Sequence, residues 1–315
     1  MAIATVRLGS KASTSGLLKL GEYPDGQEIL CPTITVRGRL DGPQLWVQAC
    51  VHGPEVGGIA GIHDVLRRLD PDCLRGTIVF VLLANPLGYR DNVRLNAVDG
   101  INFNRTFPGN AAGTTSERMA ARLMEAATEG ADAVVDLHSG GNTVVSAQYA
   151  IYSHDGTQAG ERSERLAAAA GFDVIWNAPS SALRGAAYLA YQDAGIPAVI
   201  VESGGGGQVT ASDIENFANA IFGICAELGM SEPRPDRHPR QISGLPSVVR
   251  PGHGGLLLPR VCAGESVIEK QLVASVLALD GTVKEDLLAP KSGFISSITK
   301  NYHQVYSGEE IATVV

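Results

Sequence analysis

The stretch Leu45-Trp46-Val47-Gln48-Ala49-Cys50-Val51-His52-Gly53-Pro54-Glu55 is an apolar run that ends in polar residues. A second apolar run, Ala133-Val134-Val135, leads in the same way into Asp136-Leu137-His138. Short apolar runs of this kind are typical of strands buried in a parallel sheet. We therefore expect two strands that each deliver polar side chains at their carboxyl ends.

The polar residues after these runs are a ligand set for a catalytic zinc ion. His52 and Glu55 lie three residues apart, so a loop or a helix start can turn both side chains toward one ion. His138 would meet them at the same edge of the sheet. Two imidazoles and one carboxylate leave a fourth position for water, which distinguishes a catalytic from a structural zinc site. The alternative is two unrelated histidines and a glutamate favoured by a helix dipole.

A third apolar run, Pro197-Ala198-Val199-Ile200-Val201, ends in Glu202. A carboxylate is costly to bury in such a place without a partner or a function. Glu202 is therefore a candidate for the base that takes a proton from water and returns it to a leaving group. An ion pair at the sheet edge is the alternative. Asp136 is either a partner that orients His138 or a residue hydrogen-bonded within the sheet.

Strands and helices alternate through the first two thirds of the chain. The patterns predict strands at about 45–51, 77–84, 133–138, 146–152 and 197–202, and helices at about 55–69, 115–129, 160–170, 185–194 and 212–228. Capping boxes mark two helix starts, Thr114 with Glu117 and Ser212 with Glu215. The alternation predicts an α/β fold with a mainly parallel or mixed sheet covered by helices on both faces. Ligands bind such sheets beyond the carboxyl ends of the strands.

Composition and charge limit the classes of partner. The chain has 315 residues and a net charge of −8, so it offers no basic stripe for nucleic acid. No apolar run approaches the ~20 residues of a membrane span, and Met1 to Ser15 lacks the apolar core of a secretory signal. The five cysteines are scattered, as in a reducing compartment. We expect a cytoplasmic protein with no membrane partner.

Several blocks of the sequence together resemble the succinylglutamate desuccinylase/aspartoacylase family of the zinc carboxypeptidase superfamily. The blocks are, in order, His52-Gly53-Pro54-Glu55, Asn85-Pro86-Leu87-Gly88, Arg94, Asp99-Gly100-Ile101-Asn102-Phe103-Asn104-Arg105-Thr106-Phe107-Pro108-Gly109, Asp136-Leu137-His138 and Glu202. They cover roughly residues 30–210. The resemblance implies one zinc ion per chain, a zinc carboxypeptidase-like fold and hydrolysis of an amide.

The resemblance also implies roles for a long loop between the second and third strands. Asn104 and Arg105 would hold a carboxylate of the substrate, because an arginine fork matches a carboxylate with two parallel bonds. Arg94 would polarise the scissile carbonyl and stabilise the oxyanion. Surface arginines on a loop are the alternative, although loops of this length are more often functional. Asp99-Gly100 is a typical turn dipeptide and is expected to shape the loop.

Two departures from the family pattern concern specificity. Gln192 stands where the aspartoacylase type has an arginine, and Arg184 is further away. The family's tyrosine near the scissile bond cannot be assigned from the sequence among Tyr188, Tyr191, Tyr302 and Tyr306. The segment Asp136-Leu137-His138-Ser139-Gly140-Gly141 is closer to the subgroup of N-acetyl-diaminobutyrate deacetylases.

A linker rich in proline, arginine and aspartate lies at 231–241, and after it the sequence pattern changes to short strands and glycine turns with little helix. We expect a zinc hydrolase catalytic domain at 1–232 and a small all-β domain at 240–315. The second domain resembles a lipoyl- or biotinyl-type barrel-sandwich half. A carrier domain of that type has a lysine at its hairpin tip, whereas this chain has Asp280-Gly281-Thr282, so we expect no attached group.

The sequence as a whole predicts a zinc-dependent amidohydrolase, a deacylase that cleaves an N-acyl amino acid or related small amide bearing a carboxylate. One alternative is a metallocarboxypeptidase that acts on short peptides. Another is a non-catalytic metal- or ligand-binding protein on the same scaffold, which the presence of Glu202 beside all three ligands disfavours. A homo-oligomer is compatible with the sequence.

Overall fold

The structure, a computed structural model, describes residues 13–235 and 238–315. Its strands are β1 (Ser13–Glu22), β2 (Glu28–Arg37), β3 (Leu40–Ala49), β4 (Arg75–Val81), β5 (Ala133–His138), β6 (Val144–Tyr152), β7 (Val174–Asn177), β8 (Ala198–Gly205), β9 (Arg240–Ser243), β10 (Ser247–Val249), β11 (Gly255–Pro259), β12 (Ser266–Val267), β13 (Leu272–Leu277), β14 (Val283–Leu288), β15 (Gly293–Thr299), β16 (Gln304–Val305) and β17 (Ala312–Val314). Its α-helices are α1 (Gly57–Arg68), α2 (Pro86–Asp91), α3 (Thr115–Thr128), α4 (Gln158–Ala169), α5 (Ala187–Asp193) and α6 (Ala211–Glu227). The expectation about a secretory signal falls on residues 1–15, of which 1–12 lie outside the described residues.

Thirteen of the described strands form one large mixed sheet. Its centre has the order β4, β3, β5, β8, and all three of these pairs are parallel. β2 joins β4 and β6 joins β8 in the antiparallel sense. The predicted fold class, an α/β protein with a mixed sheet and an added β unit at the C-terminal end, is confirmed.

Side chains that alternate along the central strands separate two apolar cores. Val47 and Val135 belong to the core that α1, α4 and α6 cover. Trp46 and Val134 belong to the core on the other face, which α3 and α5 cover. Because side chains alternate between faces, the polar residues at the strand ends lie on the α3 and α5 side, namely Gln48, Asp136, His138 and Glu202.

The position of α1 matters for the site because this helix begins two residues after Glu55. Gly57 and Gly61 lie against Phe217 of α6, and a Cβ at Gly61 would stand 2.3 Å from the Phe217 Cβ. A glycine is therefore needed for the two helices to approach so closely. No helix in the described ranges is long and apolar enough to cross a membrane.

The start of α6 differs from the expectation. The capping box at Thr114 and Glu117 is present at the start of α3. The box predicted at Ser212 and Glu215 is wrong, because Thr210 is the N-cap of α6 and Asp213 closes the box. Asp213 also accepts a hydrogen bond from Ser203 at 3.0 Å. This tertiary contact with β8 explains why the helix begins at the earlier pair.

The C-terminal segment has its own core and also extends the large sheet. Its buried side chains between Val249 and Val314 form a separate cluster, and β14, β13, β11 and β16 form a small second sheet. However, β15 pairs with β6 and β9 pairs with β7. Backbone hydrogen bonds therefore join the two parts. The division into domains at 1–232 and 240–315 stays a prediction.

Candidate active site

The turn after β3 that carries His52 is held in place by α2. Asn85 caps this helix by accepting a hydrogen bond from the Gly88 amide at 3.0 Å, and its Nδ2 donates to the Val51 carbonyl at 3.1 Å. A Cβ at Gly53 would lie 1.9 Å from the carbonyl oxygen of Gly88. The Asn-Pro-x-Gly motif therefore packs α2 against the turn, and only glycine fits at the contact.

The structure brings His52, Glu55 and His138 together in one buried cluster. Glu55 Oε1 lies 2.9 Å from His52 Nδ1, and its Oε2 lies 2.8 Å from His138 Nδ1. The candidate ligand atoms of the three residues all lie within 4.8 Å of one another. No more than 3% of each side chain is exposed. These donors are of the type and number that a catalytic zinc ion takes from a protein.

Each imidazole has an oxygen partner at the nitrogen that faces away from Glu55. His52 Nε2 lies 3.0 Å from Asn102 Oδ1, and His138 Nε2 lies 3.0 Å from Asp136 Oδ2. At His52 this acceptor favours the proton on Nε2 and leaves Nδ1 as the ligating atom. At His138 the Asn104 amide nitrogen also lies 3.3 Å from Nε2, so a donor and a carboxylate both approach this nitrogen. Both histidines thus present Nδ1 to the interior of the cluster.

The charged groups of the cluster shift one another's pKa values. Burial alone would raise the pKa of Glu55, but His52 and His138 hold it well below its usual range. Burial would lower the pKa of His138, but Asp136 and Glu55 raise it well above its usual value. The carboxylates therefore draw positive charge into the cluster. A metal cation would compete with the histidine protons for this place.

Glu202 lies beside the cluster on β8, where it is the register partner of His138. Burial raises the pKa of its carboxyl to about 7, although His138 acts in the opposite direction. Its Oε2 has no hydrogen-bond partner among the described residues. A carboxyl group with a pKa near neutrality and an unpaired oxygen fits a general base.

Arg94 reaches the cluster from the loop after α2. Its Nη1 lies 2.9 Å from Glu55 Oε1 and 3.2 Å from His52 Nδ1, while 54% of the side chain is exposed. The guanidinium group therefore lies at the mouth of the cluster.

The loop that carries the arginines is anchored to the start of α3. Asp99 accepts hydrogen bonds from the amide and the hydroxyl of Ser116 at 2.8 and 2.9 Å. Asn96 Nδ2 donates to the same hydroxyl at 2.8 Å. Asp99 thus fixes the loop to the start of α3. It also precedes Gly100, whose φ of +69° allows the turn that follows.

Asn104 and Arg105 follow on a 3-10 turn of this loop. The Asn104 amide is buried, with Oδ1 accepting from the Ala187 amide at 2.9 Å and Nδ2 lying 3.3 Å from His138 Nε2. Arg105 Nη1 donates to the Asn104 carbonyl at 2.6 Å. Burial lowers the pKa of Arg105, and the charge of Arg94 adds to the effect. A bound carboxylate would relieve the repulsion between these two cations.

Three residues near the site were not assigned a role from the sequence. Asn102 lies within a recognised motif, yet only the structure shows its contact with His52. Tyr149 is the register partner of Glu202 on β6, and Tyr188 is buried close enough to Arg105 for that charge to act on its phenol. No spacing in the sequence singles out either tyrosine. Among the other tyrosines, Tyr302 and Tyr306 are exposed.

Gln192 does not replace an arginine in the site. Its Nε2 donates to the carbonyl of Ser153 at 3.0 Å and to the hydroxyl of Ser163 at 2.8 Å, so the side chain serves the packing of α4. Arg184 is exposed. Its neighbour Gly185 lies against the backbone of Arg105, where a Cβ would stand 2.4 Å from the carbonyl oxygen.

The fold and the cluster define a class, proteins with a zinc carboxypeptidase-like α/β fold and a His-Glu-His site at the strand ends. Residues 41–228 match the model of the succinylglutamate desuccinylase/aspartoacylase catalytic domain. The chain belongs to the succinylglutamate desuccinylase/aspartoacylase family.

The similarity to known proteins extends over nearly the whole chain. N-alpha-acetyl-L-2,4-diaminobutyric acid deacetylase of Halomonas elongata is 27% identical over 308 residues, which cover 93% of this chain and 89% of the relative. The product-bound ectoine utilization protein EutE (DoeB) of Ruegeria pomeroyi has a TM-score of 0.86 at 22% identity, covering 98% and 97% of the two chains. A succinylglutamate desuccinylase of Silicibacter sp. TM1040 has a TM-score of 0.84 at 23% identity, covering 98% and 96%.

Proposed function

We propose that this protein is a zinc-dependent amidohydrolase that removes the acyl group from an N-acyl amino acid or a related small amide. Family membership supports a hydrolase that acts on amide bonds. The observation that carries the proposal is the buried cluster of His52, Glu55 and His138 beside the unpaired carboxyl oxygen of Glu202.

In this proposal His52, Glu55 and His138 hold one zinc ion per chain. The ion would supply the Lewis acidity that activates water and polarises the amide carbonyl. One candidate ligand atom from each of the three residues lies within 4.8 Å of the other two, and an oxygen lies 3.0 Å from the Nε2 of each imidazole, which supports a site prepared for a cation.

Glu202 acts as the proton shuttle. It takes the proton from the attacking water and returns it to the nitrogen of the leaving amine. The raised pKa of its carboxyl, about 7, supports this role because a base is most effective near the working pH. Arg94, at the mouth of the cluster, donates hydrogen bonds to the oxygen on which negative charge develops.

Arg105 binds the carboxylate of the substrate, with the Asn104 amide holding the loop in place. The proximity of two guanidinium groups supports an anionic ligand here. The diaminobutyrate deacetylase relative suggests an N-acetyl group on the substrate. The cytoplasmic location and a homo-oligomer stay predictions.

A panel of substrates tests the proposal. Zinc-loaded protein is assayed on N-acetyl and N-succinyl amino acids, among them N-α-acetyl-diaminobutyrate, and on dipeptides, with Glu202→Gln protein as the control. Faster turnover of acyl amino acids supports the deacylase. A preference for dipeptides would favour a carboxypeptidase, and equal background rates for both proteins would contradict an enzyme.

A further inference from the structure

A group of buried polar side chains lies next to His138, on the same face of the sheet. Gln48 of β3 and Asp136 of β5 are register partners in a parallel pair, and both side chains are fully buried. Trp46 Nε1 donates to Gln48 Oε1 at 3.2 Å, and Tyr191 of α5 donates to the same oxygen at 3.1 Å. The mechanism proposed above gives Gln48, Trp46 and Tyr191 no role.

These donors fix the orientation of the Gln48 amide. An indole nitrogen can only donate, so the amide atom that faces Trp46 must be the oxygen. The amide nitrogen is therefore the end of the Gln48 side chain that is left to contact another residue. Gln48 Nε2 and both carboxylate oxygens of Asp136 are buried and have no hydrogen-bond partner in the described part of the chain; Asp136 Oδ2 has only its ion-pair contact with His138 Nε2 at 3.0 Å.

An unpaired donor and an unpaired acceptor thus lie on adjacent strands, which are about 4.8 Å apart. Burial raises the pKa of the Tyr191 phenol, and the charge of Asp136 adds to it, so the carboxylate also lies near the hydroxyl that holds Gln48. A buried donor and a buried acceptor are each destabilising when they are left unpaired. Gln48 supplies a donor and Asp136 an acceptor, the two residues are register partners, and their side chains lie on the same face of the sheet.

We propose that Gln48 is a positioning residue for the metal site, whose Nε2 donates to Asp136 Oδ1 directly or through one water. Asp136 Oδ2 lies 3.0 Å from His138 Nε2, so the order of contacts is Trp46 and Tyr191, Gln48, Asp136, His138. Gln48 acts by holding the carboxylate that aims the imidazole. The inference rests on the proposed function only for the identity of the metal.

The primary measurement is the zinc dissociation constant, obtained by competition with a chromogenic chelator. Gln48→Met keeps the length of the side chain and removes the amide. Loss of a partner in the outer shell of a metal site costs about 10–100-fold in affinity, and we expect about tenfold here because Gln48 acts through Asp136. Tyr191→Phe removes one of the two donors that hold Gln48 Oε1 and should give a smaller loss in the same direction.

A double-mutant cycle distinguishes positioning from packing. If Gln48 acts through Asp136, Gln48→Met should add almost nothing to the loss in zinc affinity that Asp136→Asn causes. Val134→Ala is the matched control, since Val134 is a fully buried apolar residue of β5 on the same face as Asp136. It should lower the melting temperature and leave zinc affinity within about twofold of the wild type.

Two results would overturn the inference. One is a folded Gln48→Met protein with wild-type zinc affinity, and the other is a loss that simply adds to that of Asp136→Asn. If Gln48→Met does not fold, unchanged affinity in Tyr191→Phe contradicts the inference. A wild-type protein that binds no zinc would contradict the proposed function instead, so the two failures are distinguishable.

Discussion

His138 and Glu202 are opposite each other in the parallel pair of β5 and β8. A candidate ligand and a candidate base are thereby held at a fixed separation by backbone hydrogen bonds rather than by a loop. Tyr149 is paired with Glu202 from the other side, on β6. The base therefore lies in the middle of three adjacent strands.

Replacement of Glu202 by glutamine should separate catalysis from folding. The glutamine keeps the shape of the side chain but cannot accept the proton of water, so kcat should fall by at least ~10²-fold, the lower end of the effect of general acid–base catalysis. Zinc content should stay near one per chain. A folded, zinc-loaded Glu202→Gln protein within about tenfold of the wild-type kcat would remove Glu202 from the mechanism.

The same variant should be more stable than the wild type when both are metal-free at pH 8. The folded pKa of Glu202 is raised to about 7, whereas an unfolded glutamate titrates near 4.3. Ionisation of Glu202 therefore destabilises the folded state as pH rises through this window, and glutamine removes a penalty on the order of 3 kcal/mol. Melting temperatures measured from pH 4.5 to 8 should diverge as pH increases. Parallel curves would show that Glu202 titrates normally.

His52→Ala and His138→Ala should each abolish stoichiometric zinc binding, because either change removes one of three ligands from a buried site. His154→Ala is the control, since His154 makes a similar histidine–glutamate pair with Glu164 at 2.9 Å but on the surface. Metal analysis after dialysis measures the outcome. Full zinc content in a folded His138→Ala protein would refute the ligand set.

Asn102→Ala should weaken zinc binding without removing a ligand. It deletes the oxygen 3.0 Å from His52 Nε2, and loss of such a partner costs about 10–100-fold in metal affinity. Asn102 Oδ1 also accepts a hydrogen bond from the Asn104 amide at 3.0 Å. Asn110→Ala is therefore a fair comparison, because Asn110 Oδ1 accepts in the same way from the Ala112 amide but lies exposed in a turn. Equal zinc affinity for the two variants would mean that Asn102 only shapes the loop.

Arg105→Lys should raise KM for a carboxylate substrate by on the order of tenfold, ~1.4 kcal/mol, because lysine keeps the charge but loses the fork. Arg118→Lys, an exposed change on α3, should leave KM unaltered. Steady-state kinetics on an N-acyl amino acid and on its uncharged amide analogue check the idea. The two substrates should differ with wild-type protein; equal kcat/KM for both would argue against carboxylate recognition.

The C-terminal segment should carry no lipoyl or biotinyl group. Thr282 occupies the turn between β13 and β14, and Asp280 Oδ1 accepts hydrogen bonds from its amide and its hydroxyl. The intact mass of protein from its native source should equal that of the chain, apart from N-terminal processing. An added lipoyl or biotinyl mass beyond residue 240 would contradict this.

The sequence was sufficient for the parts of the fold that depend on local pattern. Apolar runs predicted β3, β5 and β8, and the polar residues at their ends came together because parallel strands end at one edge. Two candidate ligands are three residues apart and the third ends a strand, and this spacing, together with the family blocks in order, pointed to them.

The sequence was insufficient where a contact joins distant residues. The sequence predicts Trp46, Gln48 and Tyr191 as parts of an apolar strand and a helix. Trp46 and Gln48 lie two residues apart on β3, and only the tertiary fold brings the Tyr191 hydroxyl of α5 to the same Gln48 oxygen. The N-cap of α6 was misplaced for the same reason, since Ser203 of β8 selects Asp213. Local sequence propensity cannot reveal a hydrogen-bond partner that another helix or strand supplies.

The pairing of β15 with β6 has a consequence for cooperativity. Ser297 to Thr299 cover the edge of β6 that faces away from β8, the strand of Glu202. A chain cut near residue 240 would leave that edge with unpaired backbone groups, which other molecules could recruit into intermolecular sheet. The two parts should therefore melt in a single calorimetric transition, and the shortened chain should aggregate rather than persist as a smaller enzyme.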